Sequence, residues 1–230
     1  MSGNGSKAPL APDAAGARRL TECLRAGGVA VLPTDTVYGL ACDPTRREAV
    51  QRLYELKGRP PERPAAVMFF TLDVALEALP ELGARGSAAL RALLPGPLTV
   101  LLPNRENRYP LACRPIEDRP EGDPGALGLR VPLLPERLAA LCAVEGPIMQ
   151  SSANLSGGPD TRRLADIPPA LLEGADLAID GGELPGTAST VLDLRDYERT
   201  GRWDIVRAGP IGRAELERAL GDRAVGLRRR

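Results

Sequence analysis

Two cationic side chains stand two positions apart in the segment 56–60, Leu-Lys-Gly-Arg-Pro. The apolar spacing between Arg46 and Lys57 predicts a helix, and Gly58 is a favourable residue directly after a helix end. Lys57 and Arg59 would then flank that end, and an arginine placed there can hold a phosphate or carboxylate through two parallel hydrogen bonds. The alternative is a pair of solvated surface cations, and these residues alone leave both interpretations equally open.

Two polar segments follow predicted strands, where ligand-binding groups are common. Residues 34–36, Thr-Asp-Thr, come after the apolar run 29–32, and Pro33 between them cannot donate to a strand ladder. Residues 151–158 come after the apolar run 148–150 and contain three serines, one asparagine and two glycines. This second segment predicts either a cradle for polar ligand atoms or an ordinary turn.

One arginine, Arg130, interrupts the apolar run 127–131. A guanidinium buried in a strand needs an anionic partner, because an unpaired buried charge is costly. The sequence favours such a partner over the alternative, an arginine on an exposed strand face.

The composition limits the chemistry that these residues can perform. The chain has 230 residues, 43% of them apolar and 3% aromatic, and its 30 basic side chains balance 30 acidic ones, so no overall field attracts nucleic acid. Histidine is absent, which removes the commonest general base and metal ligand. The four cysteines form no Cys-x-x-Cys pair, so we predict no zinc site, and buried or inert thiols in a reducing compartment. No signal-peptide pattern and no apolar run of bilayer length are present, so the sequence predicts a cytoplasmic protein without a membrane segment.

Alternating helix and strand patterns predict one α/β domain with a mixed sheet covered by helices. Helices are predicted over residues 14–26, 46–57, about 87–94, about 135–143 and about 214–220, with a further one after Thr71. Strands are predicted over residues 29–32, 65–70, 98–102, 127–131, 148–150, 177–179, 189–193 and 203–207. The domain is predicted to span residues 12–212, after a disordered tail over 1–11 and before a short C-terminal helix and basic tail over 213–230. Residues 103–125 are predicted to form a long surface loop.

Seven segments, taken in order, resemble the YrdC/TsaC-type threonylcarbamoyl-adenylate synthases over about residues 15–212. They are residues 33–40 (Pro-Thr-Asp-Thr-Val-Tyr-Gly-Leu), 57–60 with its Lys-x-Arg pair, 95–99, 129–132, 152–157 with its Ser-x-Asn pair, 188–193 and 207–209. The resemblance implies a single YrdC-like domain whose mixed, twisted sheet and flanking helices surround a large concave cavity. It also implies condensation of L-threonine, bicarbonate and ATP, with Mg²⁺ carried by ATP, to threonylcarbamoyl-AMP and pyrophosphate. A separate transferase complex would then deliver the threonylcarbamoyl group to tRNA.

The same resemblance implies roles for individual side chains. Two would be catalytic and would contact the ATP phosphates and the carboxylated amine: Lys57 and Arg59. Four further side chains would bind ATP: Ser152, Asn154, Asp160 and Arg207. Three would bind threonine, Thr34 and Ser189 by orienting it and Arg130 by pairing with its carboxylate.

Four positions depart from the pattern of that family: Arg63, Met68, Ala126 and Asp160. Met68 lies in a strand where the family often has a histidine or another polar residue. Asp160 replaces a frequent serine, and a carboxylate there could repel phosphate or assist Mg²⁺. The nearest alternative is therefore a YciO-like paralogue with the same fold and altered or weak activity.

Two further alternatives come from other functional classes. An RNA-binding module with this fold is disfavoured by the zero net charge and by the lack of aromatic residues for base stacking. A carbamoyl-transfer domain like those of hydrogenase maturation factors would be accompanied by zinc-finger and acylphosphatase-like segments, and nothing in this sequence resembles either.

Overall fold

The computed structural model of this chain describes residues 8–60, 64–113, 123 and 125–221. Its α-helices are α1 Ala14–Arg25, α2 Arg47–Lys57, α3 Leu72–Glu77, α4 Ala84–Leu93, α5 Pro169–Gly174, α6 Tyr197–Thr200 and α7 Arg213–Leu220. Its strands are β1 Ala30–Leu32, β2 Gly39–Cys42, β3 Ala66–Met68, β4 Leu98–Pro103, β5 Ala126–Arg130, β6 Ile148–Ser152, β7 Leu177–Ala178, β8 Thr190–Asp193 and β9 Asp204–Arg207. Short 3₁₀ helices span Pro110–Ala112, Glu136–Ala143 and Leu164–Asp166. Arg63, most of the second half of the predicted 103–125 loop and the basic end of the chain lie outside the described residues.

The nine strands form one sheet in the order β7-β1-β2-β6-β3-β5-β4-β8-β9. The pairs β1–β7, β3–β5 and β4–β8 are parallel and the other pairs are antiparallel, so the predicted mixed sheet with flanking helices is confirmed. Strand β6 lies near the middle, between β2 and β3. Because side chains alternate along a strand, Gln150 and Ser152 of β6 point to the same face of the sheet.

Local sequence signals explain the first two helices. Asp13 caps α1 by accepting a hydrogen bond from the backbone N–H of Gly16 at 2.8 Å, and Leu20 and Leu24 of that helix are buried. Gly58 ends α2 in the left-handed region, with φ of 56°. This turn makes the chain change direction directly between the two cations of the Lys-x-Arg pair.

Several elements differ from the sequence-based expectation. The segment Glu136–Ala143 is a 3₁₀ helix, and its buried residues Leu138 and Leu141 are three apart, the spacing that a 3₁₀ helix aligns on one face. Strand β2 was not predicted, and α6 lies between the predicted strands 189–193 and 203–207, where no helix was predicted. Leu10, predicted to lie in a disordered tail, hydrogen-bonds to the edge of the sheet through Ala178 and Asp180.

The C-terminal helix belongs to the same packed unit, since Leu216 of α7 is fully buried and α7 contacts α4. None of the four cysteines forms a disulfide; Cys42 and Cys113 are buried, and Cys142 is exposed. None of the helices within the described residues has the length and apolar character needed to cross a membrane.

Candidate functional site

A cavity of about 220 Å³ lies beside strands β4, β5, β6 and β9 and the segments that precede β3 and β8. Its lining includes these predicted site residues: Arg59, Arg130, Ser152, Asp160, Ser189 and Arg207. The cavity lining does not include Lys57, Asn154 and Thr34. Three cations and three oxygen-bearing side chains therefore converge on one small volume, although they come from distant parts of the sequence.

Arg130 is only 4% exposed, and three side chains hold its guanidinium. Its Nη2 donates to Asp35 Oδ1 at 2.8 Å and to Thr36 Oγ1 at 3.1 Å, and its Nη1 donates to Gln150 Oε1 at 3.2 Å. The side chain of Asp35 is 5% exposed, and its second oxygen accepts from the backbone N–H of Leu133 at 3.0 Å. The anionic partner predicted for a buried Arg130 is therefore present, and it is a carboxylate of the chain itself.

Burial acts against both charges of the Asp35–Arg130 pair. It raises the pKa of Asp35 and lowers the pKa of Arg130, and the charge of each partner opposes the shift of the other. The Nε of Arg130 is buried without a hydrogen-bond partner among the described residues. A substrate carboxylate is therefore not needed to neutralise Arg130, and its contact with threonine stays a prediction.

Lys57 lies in the protein interior, with 1% of its surface exposed. Its Nζ donates to the backbone carbonyl of Ser152, to that of Asn154 at 2.8 Å and to Asn154 Oδ1 at 3.1 Å. Asn154 Oδ1 also accepts from Ser152 Oγ at 2.6 Å, and Asn154 Nδ2 donates to the Gly158 carbonyl at 2.6 Å. Lys57 thus joins the end of α2 to the loop 152–158, and its predicted contact with the ATP phosphates stays a prediction.

The electrostatic environment of Lys57 fits a fixed donor. Burial, and to a smaller extent the charge of Arg59, lowers the pKa of Lys57 to about 8, while Asp160 opposes this shift. An ammonium has three N–H donors, and three oxygen atoms of the chain accept from this one. Lys57 therefore holds the loop that follows Ser152, a residue of the cavity lining.

We expect Lys57→Met to lower the free energy of unfolding by about 1–3 kcal/mol, because methionine cannot donate to the carbonyls of Ser152 and Asn154. Urea unfolding followed by circular dichroism measures the change. Arg47→Met is the matched control, since Arg47 is exposed on the same helix. If the two variants were equally stable, the joining role of Lys57 would be wrong.

Arg59 reaches the cavity from the other side of Gly58. Its Nη2 donates to the Pro64 carbonyl at 2.7 Å, and its Nη1 donates to Ser151 Oγ at 3.4 Å. The left-handed glycine therefore separates the two cations of the pair: Lys57 enters the interior and Arg59 lines the cavity.

Ser189 connects a second group of cavity residues. Arg207 Nη2 donates to the Ser189 carbonyl at 2.8 Å and to Ser189 Oγ at 3.1 Å. The Oγ atoms of Ser189 and Thr99 are 2.7 Å apart. Arg207, predicted to bind the nucleotide, and Ser189, predicted to bind the amino acid, are thus in direct contact.

Thr34 has its hydroxyl group committed within its own turn. Thr34 Oγ1 donates to the Val37 carbonyl at 2.7 Å and lies 3.1 Å from Thr36 Oγ1. Thr36 Oγ1 in turn accepts from Arg130 at 3.1 Å. The hydroxyl that reaches the guanidinium is therefore that of Thr36, and the predicted orienting role of Thr34 stays a prediction.

Three residues of the site were not singled out as ligands from the sequence: Asp35, Thr36 and Gln150. Asp35 and Thr36 belong to a polar segment that the sequence does mark, but their partner Arg130 is 95 residues from Asp35. Gln150 follows two apolar residues in β6. A polar side chain in an otherwise apolar strand needs a hydrogen-bond partner, and this signal could have identified Gln150 as a site residue.

Acidic groups contribute little to the cavity. Among the described residues that line the cavity, Asp160 is the one with an acidic side chain, and it is exposed. In the part of the chain that the structure describes, no group of three or more His, Cys, Asp or Glu side chains could hold a metal ion. A Mg²⁺ ion carried by ATP would meet Asp160 as a single carboxylate here.

A family profile named Sua5_yciO_yrdC, with the description "Telomere recombination", matches residues 22–209. The chain belongs to the Sua5/YciO/YrdC family. A relative in Xanthomonas campestris pv. campestris (strain B100), named threonylcarbamoyl-AMP synthase, is 40% identical over 183 residues, which are 78% of this chain and 91% of the relative.

Solved structures of the Sua5/YciO/YrdC family share this fold. Sua5 of P. abyssi complexed with L-threonine aligns with a TM-score of 0.75 at 29% identity, covering 91% of this chain and 58% of that one. YciO of E. coli aligns with a TM-score of 0.68 at 28% identity, covering 90% of this chain and 96% of that one. The predicted YrdC-like fold is therefore confirmed.

Proposed function

We propose that this protein is a threonylcarbamoyl-AMP synthase that condenses L-threonine, bicarbonate and ATP and releases pyrophosphate. The observation that carries the proposal is the convergence of Arg59, Arg130 and Arg207 on one cavity, in a chain 40% identical to a threonylcarbamoyl-AMP synthase. Three cations in a volume of about 220 Å³ suit substrates that bring a triphosphate and a carboxylate.

The contacts of the cavity residues support separate binding places for the nucleotide and the amino acid within the cavity. Arg59 hydrogen-bonds to Ser151, next to Ser152, and these residues would hold the nucleotide phosphates. Arg130, with Thr36 beside it, would bind the amino acid. Arg207 is predicted to bind the nucleotide and Ser189 the amino acid. Because these two side chains are in contact, they would lie where the two substrates meet.

The proposed reaction fits a chain without histidine. When the carbamate oxygen attacks the α-phosphate, the O–P bond forms and the bond to pyrophosphate breaks. That step requires positioning and neutralisation of charge more than a protein base. Formation of the carbamate requires a proton acceptor, and bicarbonate or a substrate phosphate can serve. Mg²⁺ arriving with ATP, a cytoplasmic location and delivery of the product to tRNA by a separate transferase complex are parts of the same proposal.

We expect the purified chain to release pyrophosphate from ATP only when both threonine and bicarbonate are present. The measurement is a coupled pyrophosphate assay with each substrate omitted in turn, in degassed buffer for the bicarbonate arm. Release that is independent of threonine would contradict the proposal.

The structural likeness to E. coli YciO favours one second candidate, a paralogue with the same fold and weak synthase activity. The same assay separates the two. A YciO-like chain would bind ATP in calorimetry yet release pyrophosphate no faster with threonine than without it. An RNA-binding module would instead bind tRNA alone, with an affinity that falls steeply with salt concentration.

A further inference from the structure

Gln150 is a buried amide in the wall of the cavity. It lies on β6, is 3% exposed and belongs to the cavity lining. Its Oε1 accepts from Arg130 Nη1 at 3.2 Å. Because a guanidinium can only donate, the amide oxygen must face Arg130, and the two N–H groups of Nε2 are directed elsewhere. Within the described residues, Nε2 makes no hydrogen bond to the protein.

The neighbouring strand leaves room for this amide. Gly39 of β2 pairs with Ser152 of β6, and a Cβ added to Gly39 would overlap Nε2 of Gln150. The glycine therefore permits the position that Gln150 occupies. Any larger residue at position 39 would displace the amide from its contact with Arg130.

Few donors of Arg130 remain for a ligand. Nη2 is engaged by Asp35 and Thr36, one N–H of Nη1 is directed at Gln150, and Nε is buried. Apart from the buried Nε–H, the second N–H of Nη1 is the donor that remains. A carboxylate held by two parallel hydrogen bonds at this place therefore needs a second donor from another residue.

We propose that Gln150 supplies this second donor, so that Arg130 Nη1 and Gln150 Nε2 together bind the carboxylate of the amino acid substrate. The inference rests on the proposed function and makes Gln150 a specificity-determining residue. Since Asp35 already offsets the charge of Arg130, this end of the cavity suits a monoanionic carboxylate better than a phosphate dianion.

Gln150→Glu tests the proposal because it keeps the size of the side chain, removes the donor and adds a negative charge. We expect the dissociation constant of L-threonine to rise about 10- to 100-fold, as for the loss of a hydrogen bond to a charged group. L-Threonine amide, whose carboxamide can donate to the new carboxylate, should bind the variant more tightly than it binds the wild-type protein. Both constants are measured by calorimetry in the presence of a non-hydrolysable ATP analogue.

The controls separate this inference from the proposed function. Gln51→Glu makes the same chemical change on the exposed face of α2 and should leave both ligands unaffected. The affinity of Gln150→Glu for the ATP analogue alone should equal that of the wild-type protein. Equal weakening of threonine and threonine amide, or unchanged threonine binding, would overturn the role of Gln150 alone. A wild-type chain that binds no threonine would overturn the proposed function, and the inference with it.

Discussion

Arg59→Ala is expected to lower the rate of pyrophosphate formation by about 10²–10³-fold, the loss typical of removing one preorganised donor from a site of developing charge. Arg59 lines the cavity, and its guanidinium is oriented by the Pro64 carbonyl and Ser151. Its position is therefore set before substrate binds. The measurement is kcat for pyrophosphate release at saturating threonine, bicarbonate and ATP.

Two further variants make the result for Arg59 specific. Arg59→Lys keeps a charge but loses the planar fork, so its kcat should lie between those of the wild-type protein and Arg59→Ala. Arg47→Ala removes an exposed cation from the same helix and should retain wild-type kcat. A kcat of Arg59→Ala within about twofold of wild type, far from the loss expected for a preorganised donor, would exclude the phosphate role.

Asp35→Ala is expected to lower the free energy of unfolding by about 3–5 kcal/mol, because it leaves the buried guanidinium of Arg130 without its counter-charge. The two groups are 2.8 Å apart and both are nearly inaccessible to water. The backbone N–H of Leu133 also loses its acceptor. Urea unfolding at constant pH measures the change in the free energy of unfolding. This measurement does not depend on whether the variant retains activity.

An exposed ion pair provides the comparison for Asp35. Asp73 and Arg91 are 3.7 Å apart with side chains 83% and 61% exposed, so Asp73→Ala should cost less than about 1 kcal/mol. The double variant Asp35→Ala, Arg130→Met should be no less stable than Asp35→Ala, since it removes the uncompensated charge. A double variant much less stable than the single one would show that Arg130 is stabilised by something other than Asp35.

Local signals in the sequence determined much of the secondary structure. Asp13 and Gly58 mark helix ends because capping depends on residues within one turn: the helix predicted from residue 14 begins directly after Asp13, and α2 ends at Gly58 as predicted. Short apolar runs likewise marked most strands, because a run of neighbouring apolar residues is also a local signal. Strand β2, Gly39–Cys42, escaped because it has no β-branched residue and starts with glycine, so only its pairing with β1 and β6 makes it a strand.

The sequence also determined which polar segments belong to the site, since their order along the chain carries the family resemblance. It did not determine how those segments share their contacts. Arg130 was expected to await a substrate carboxylate, but Asp35, 95 residues away, already pairs with it. Sequence spacing contains no record of this contact, because the sheet order that joins the two residues arises from strand pairing across the whole domain.

Only the tertiary structure decided where the side chains of Lys57 and Arg59 lie. A Lys-x-Arg pair at a helix end looks the same in sequence whether both side chains face solvent, a ligand or the core. The left-handed Gly58 sends one cation into the interior, where the carbonyls of Ser152 and Asn154 accept its hydrogens, and the other into the cavity. Burial is a property of the packed neighbours, and those neighbours come from β6 and its following loop, about a hundred residues further along the chain.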